Sequence, residues 1–176
     1  LKDQLGKKVS DQWASIGHSQ GGHAVLGAAQ YASRAQLNYK GTVAIAPASN
    51  LASILTIGEQ QASTLPINYQ IQMLAQLDTY TALIVAGMQG HNKSVTYNEV
   101  FKNDTVILAP IAEAECSSTV GVQLGTAMSI YAAGIGQGTL TGYGRLQSGF
   151  MSIPVIDTFL KKDSQPGLAP LNKKVF

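Results

Sequence analysis

The chain has 176 residues, 45% of them hydrophobic and 12% charged, with a formal net charge of +2. That length gives one domain or part of one, and low charge with 18 glycines excludes a disordered tail or a coiled coil. Lys and Arg are too scattered for a nucleic-acid surface, and no run of about 18 apolar residues predicts a membrane span.

Leu1 to Lys8 reads as the end of a helix, and its residues do not form a signal peptide, so any export signal is expected outside this chain. Val9-Ser10-Asp11 leads into a buried strand over Trp13-Ala14-Ser15-Ile16, and Ala24 to Arg34 reads as a helix of small residues. Between them lies Gly17-x-Ser19-x-Gly21, the nucleophile-elbow pattern in the strand–turn–helix context it requires. In such a turn the serine takes a strained, positive-φ backbone, so its hydroxyl stands clear of both elements. Strand and helix pass so closely that the positions two before and two after must be small. Gly17 and Gly21 supply this, and Gly22 adds room. The turn also leaves the Gln20 N–H at a helix N-terminus, where unpaired donors favour an oxyanion. An inert serine in a glycine-rich turn is the competing reading of the same residues.

Thr42-Val43-Ala44-Ile45 is predicted as the next core strand, ended by Pro47. With this strand the residues reach a family. Gly17-His18-Ser19-Gln20-Gly21-Gly22-His23-Ala24 resembles the α/β-hydrolase superfamily. Tyr39-Lys40-Gly41-Thr42-Val43-Ala44-Ile45-Ala46-Pro47-Ala48-Ser49-Asn50-Leu51 is similar to the stretch after the elbow helix in the secretory lipases of fungi and bacteria. In that family a core strand runs into an Ala-Pro-x-x-x-Leu turn and then a helical lid insertion. The close match covers about residues 10 to 58. It implies an α/β-hydrolase fold: a doubly wound, mainly parallel sheet with a helical lid or cap. Only a dozen residues precede the elbow strand, so the chain is expected to be a fragment of that fold.

The resulting division is 1–50 for the elbow part of the core, 51–148 for the helical insertion and 149–176 for a return toward the core. Residues 50–60 and 66–90 are predicted helical, with Gly87 and Gly90 closing the second helix. In it Ile71, Leu74, Leu77 and Ile84 recur at helical spacing, with Gln70, Gln72, Gln76 and Asp78 largely opposite. That stripe is either core packing or a lid face that meets lipid. A further helix is predicted around Val106-Ile107-Leu108-Ala109, interrupted by Pro110, and another over Val120 to Ala133. The glycines from Gly134 to Gly149 fail the spacing of a phosphate loop and read as a hinge or loop. Phe150 to Leu160 suggests a short helix, and Leu171 to Phe176 an approach to a strand.

Two glycosylation sequons, Asn92-Lys93-Ser94 and Asn103-Asp104-Thr105, hint at secretion. Cys116 is single, so no internal disulfide forms. With one Cys and scattered His there is no metal-ligand spacing, and no cofactor is expected. His18, beside Ser19, is expected to form a wall of the site, His23 to pack along the elbow helix, and His91 to lie at the surface. The resemblance implies that the catalytic acid and base lie beyond Phe176 and that the second oxyanion donor precedes Leu1. The isolated chain is therefore expected to be inactive on esters, because a hydroxyl at its free pKa is a poor nucleophile. The resulting expectation is a secreted serine-dependent lipase or carboxylesterase working at a lipid–water interface, with Ser19 as nucleophile, Gln20 as oxyanion donor and the remaining segments of the same protein as partners. The alternative is a hydrolase-like module, or inert fragment, that binds apolar ligands without turnover.

Overall fold

A computed structural model describes residues 2–168, 171, 175 and 176. The chain divides into two compact units, Leu1–Leu51 with Leu160–Phe176, and Ala52–Phe159. The sequence places the second boundary earlier, after residue 148; residues 149–159 group instead with the helices.

In the first unit a helical turn α1 (Lys2–Leu5) is followed by strand β1 (Gln12–His18), helix α2 (Gln20–Gln30) and strand β2 (Asn38–Ile45). The strands pair in parallel, from Gln12 beside Asn38 to His18 beside Ile45, with one irregularity between Trp13 and Ala14. On the far side of β2, Val175 forms a parallel bridge with Thr42, the Phe176 N–H donates to the Thr42 carbonyl at 3.0 Å, and the Ala44 N–H donates to the Phe176 carbonyl at 2.8 Å. Val175 and Phe176 thus lie where the sequence suggests a strand; residues 172–174 fall outside the described residues. Two parallel strands and this bridge are the sheet among the described residues of this unit.

Helix α2 covers one face of the pair. Exposure along β1 alternates, with Trp13, Ser15 and Gly17 on the helix side and Ile16, 71% exposed, on the other. Ala29, Ala32 and Tyr39 form the buried contact, with Trp13 and Leu171 packed on it, and the Trp13 and Tyr39 rings sit 4.5 Å apart. The small residues of α2 let it press onto the strands, as its composition predicts.

The second unit is helical. Helix α3 (Leu51–Ala62) starts at the last residue of the first unit, and α4 (Ile67–His91), α5 (Tyr97–Val100), α6 (Asn103–Leu108), α7 (Ser117–Ala133) and α8 (Pro154–Thr158) follow. A capping box, Thr96 with Glu99, starts α5. Pro110 falls in a 3-10 turn over Ala109–Glu113 that interrupts the helical stretch. Helices α4 and α7 pack closely because small residues meet: Gly121 faces Thr79 and Gly125 faces Ala75. Ile71, Leu74 and Leu77 are buried and Ile84 half-buried, so the α4 stripe packs into the core of this unit. With Val120, Leu124 and Met128 of α7 also buried, each such side chain contributes about 1.5–3 kcal/mol. Gly87 and Gly90 do not close α4, which runs through them to His91 and is capped at Asn92. Among the described residues no helix is long and apolar enough to cross a membrane.

Asp78 departs most from its expected place. It is fully buried rather than on a polar face, and its carboxylate takes two hydrogen bonds from Arg145, at 2.9 and 2.6 Å. The same guanidinium donates twice to Glu59 of α3, at 3.0 and 2.7 Å, so two carboxylates grip one arginine and tie the loop after α7 to α3 and α4. Burial pushes the Asp78 carboxyl up to about 6, against the downward pull of Arg145 and with a further push from Glu59. Burial also works against the Arg145 charge, but its bonds to Glu59 and Asp78 outweigh that and hold it above its usual value. Glu59 keeps Arg145 charged in either state of Asp78.

Two predictions follow from this cluster. The folded state holds the Asp78 proton more tightly than the unfolded chain, so this stabilising contribution is complete below about pH 4 and is lost as pH rises through about 6. In denaturant titrations the stability of wild type relative to Asp78→Asn should fall between those pH values and then level off; a flat difference would contradict it. Arg145→Met strands the buried Asp78 carboxylate and should cost about 3–5 kcal/mol at neutral pH in the same titrations.

Candidate active site

Ser19 lies between the end of β1 and the first residue of α2 with φ 55° and ψ −115°. For a residue with a Cβ this conformation costs about 1–3 kcal/mol and persists only where the surroundings hold it. Here the backbone is held on both sides. The Ser19 N–H donates to the Ile45 carbonyl at 2.9 Å, and its carbonyl accepts from the His23 N–H at 3.0 Å and the Ala48 N–H at 3.1 Å. The last bond joins the elbow to the Ala46–Asn50 turn after β2, where Ala46 and Asn50 also have positive φ, 42° and 56°. Gln165 fixes that turn by accepting from the Asn50 N–H at 3.1 Å. Sequence reading missed Ala48 and Gln165 as supports of the elbow; a backbone donor and a bond spanning 115 residues leave no local signal.

The glycines divide differently from the sequence expectation. A Cβ on Gly17 would sit 2.1 Å from the Gly21 carbonyl oxygen, so only glycine fits there. One on Gly22 would lie 2.9 Å from both the Ile45 carbonyl oxygen and the Pro47 Cα. One on Gly21 meets nothing within 4 Å. The crowding two residues past the serine therefore comes from the Gly21 backbone, and the missing side chain matters at Gly22 instead.

Ser19, Gln20 and His18 are exposed, and His23 is half-buried. The Ser19 hydroxyl makes no cap bond to α2, which leaves it free to face solvent or a ligand. The Gln20 N–H opens the first turn of α2, where amides have no partner within the helix. Among the described residues no imidazole or carboxylate hydrogen-bonds to the Ser19 hydroxyl; the side chain of His91 lies outside the description. The structure thus brings together Gly17, Ser19, Gln20 and Gly22 with the turn after β2.

Of the other candidate residues, Asn92 follows α4, and its side-chain oxygen accepts from the Ser94 N–H and hydroxyl at 3.0 and 2.8 Å. Asn103 is exposed at the start of α6, while Thr105 of its sequon is fully buried and donates to the Gly144 carbonyl at 3.2 Å. Cys116 is exposed just before α7. No protein-family model, curated protein or solved structure matches the chain.

The elbow contacts give opposite expectations for neighbouring glycines. Gly17→Ala and Gly22→Ala should each lower the stability of the first unit by more than about 1 kcal/mol, because backbone atoms would have to move. Gly21→Ala should be neutral or stabilising by up to about 1 kcal/mol, through better helix propensity in open space. Denaturant titration of the three variants distinguishes this ranking from a uniformly tolerant glycine turn.

Proposed function

We propose that the chain carries the nucleophile of a serine hydrolase that cleaves carboxylic esters, a secreted lipase or carboxylesterase of α/β-hydrolase type. The observation that carries this reading is the backbone of Ser19, strained at φ 55° and ψ −115° on a strand–helix turn that Gly17 and Gly22 keep narrow. Strain of this kind at a non-glycine residue points to function, and the side chain that this turn presents is a hydroxyl.

In this reading the Ser19 oxygen attacks the ester carbonyl carbon as its proton passes to a histidine base. The carbonyl π electrons move to oxygen, and the Gln20 N–H stabilises that oxyanion. One such donor is worth about 10²–10³ in rate. Collapse expels the alcohol, which takes the proton from the base and leaves an acyl ester on Ser19. Water then repeats the sequence and releases the acid. The base and its acid partner are proposed to come from segments other than the elbow region, the helical insertion (51–148 by sequence) to act as a lid, and the reaction to take place at a lipid–water interface.

The second reading, an apolar-ligand-binding module without turnover, draws support from the absence of an imidazole or carboxylate on the Ser19 hydroxyl among the described residues. A fluorophosphonate probe separates the two. Intact mass of the protein, with any co-purifying polypeptide, should gain one probe mass located on the Ser19 peptide and lost in Ser19→Ala. With the segments that carry base and acid present, a protein that stays unlabelled, or is labelled equally in Ser19→Ala, would overturn the hydrolase reading.

A further inference from the structure

The strained elbow depends on how high α2 rides above the strands. Gly17 against Gly21 and Gly22 against Ile45 and Pro47 leave no room for a side chain. The apolar part of the helix–strand contact, Ala29 and Ala32 against Trp13 and Tyr39, has no directional preference and would tolerate a slide. Among the described residues the side-chain hydrogen bond joining α2 to the strands comes from one buried hydroxyl: Thr42 of β2, 1% exposed, donates to the Val25 carbonyl at 3.3 Å.

That hydroxyl is fully committed. It has one hydrogen and two acceptor sites. The Tyr39 hydroxyl donates to it at 2.5 Å, and the Ser15 hydroxyl is hydrogen-bonded to it from β1. The Ser15–Thr42 bond can run in either direction; when Ser15 donates, both Thr42 acceptor sites are taken and its hydrogen goes to Val25. Ser15 lies two residues before Gly17, and Thr42 three before Ile45, whose carbonyl holds the Ser19 N–H. The cluster therefore ties β1, β2 and α2 together directly behind the elbow.

We propose that Thr42 is a positioning residue for Ser19: through Val25, Ser15 and Tyr39 it sets the seating of α2 that holds the nucleophile in its strained conformation. This inference rests on the serine-hydrolase reading for its chemical consequence, but its structural content stands apart from it. A misplacement of about 1 Å at a reacting centre costs about 10²-fold, so loss of one directional tie should be visible in reactivity.

The test compares Thr42→Val, Thr42→Ser and Ser15→Ala in the full chain with any co-purifying segments, using the fluorophosphonate probe. Thr42→Val should lower the labelling rate at saturating probe by about tenfold or more with the half-saturating concentration unchanged, and Thr42→Ser should restore it. Amide hydrogen exchange supplies a readout independent of the chemistry. In Thr42→Val the peptide spanning residues 17–24 should exchange at least about tenfold faster, while the α7 peptide, in the other unit, keeps its wild-type rate; Thr42→Ser should protect both. If Thr42→Val does not fold, Ser15→Ala carries the same test with a smaller expected loss. A wild type unlabelled in the presence of the segments that carry base and acid would defeat the hydrolase reading and leave the exchange comparison to decide on Thr42. Wild-type labelling and exchange in a folded Thr42→Val or Ser15→Ala, or failure of Thr42→Ser to restore them, would overturn the proposal.

Discussion

The first unit depends on a close approach of backbone to backbone. Where β1 ends and α2 begins, Gly17 lies against the Gly21 carbonyl and Gly22 against Ile45 and Pro47. That crowding leaves little freedom for the residue between, and Ser19 takes a conformation its side chain disfavours. Its strain is offset by three backbone hydrogen bonds, two of them to the end of β2 and its turn. The elbow is thus a property of both strands and their turns rather than of a local sequence.

A different constraint governs the helical unit. There a buried arginine, held by carboxylates from α3 and α4, anchors the glycine-rich loop after α7. Such a cluster is weak evidence of net stability, since desolvation consumes most of the Coulombic gain. What it supplies is placement. A loop with positive-φ glycines at 138, 142 and 149 has many conformations of similar energy, and Arg145 selects one.

Much of the first unit was legible because its signals are local. The run Trp13 to Ile16, the small residues after Ala24 and the β-branched Thr42-Val43 each specify their element from neighbours alone, and Ser19 with Gly17 marks the turn. Which later glycine is crowded was not legible, because it depends on the angle at which α2 meets the turn after β2; pattern pointed to Gly21, packing to Gly22. Asp78 was placed on a polar face because a carboxylate at that spacing reads as solvated, whereas its partner is 67 residues away. Gly87 and Gly90 looked like stops, but propensity costs of about 1 kcal/mol each yield to the burial of Val85 and Met88 beside them.

The central claim is that the strained turn presents a reactive serine to an oxyanion donor. A crystal structure of the protein after reaction with a phosphonate ester tests both halves at once. The account expects phosphorus bonded to the Ser19 oxygen, Ser19 φ still near 55°, and a phosphonyl oxygen within about 3 Å of the Gln20 nitrogen. A relaxed Ser19 with negative φ, or a phosphonyl oxygen turned away from Gln20, would contradict it.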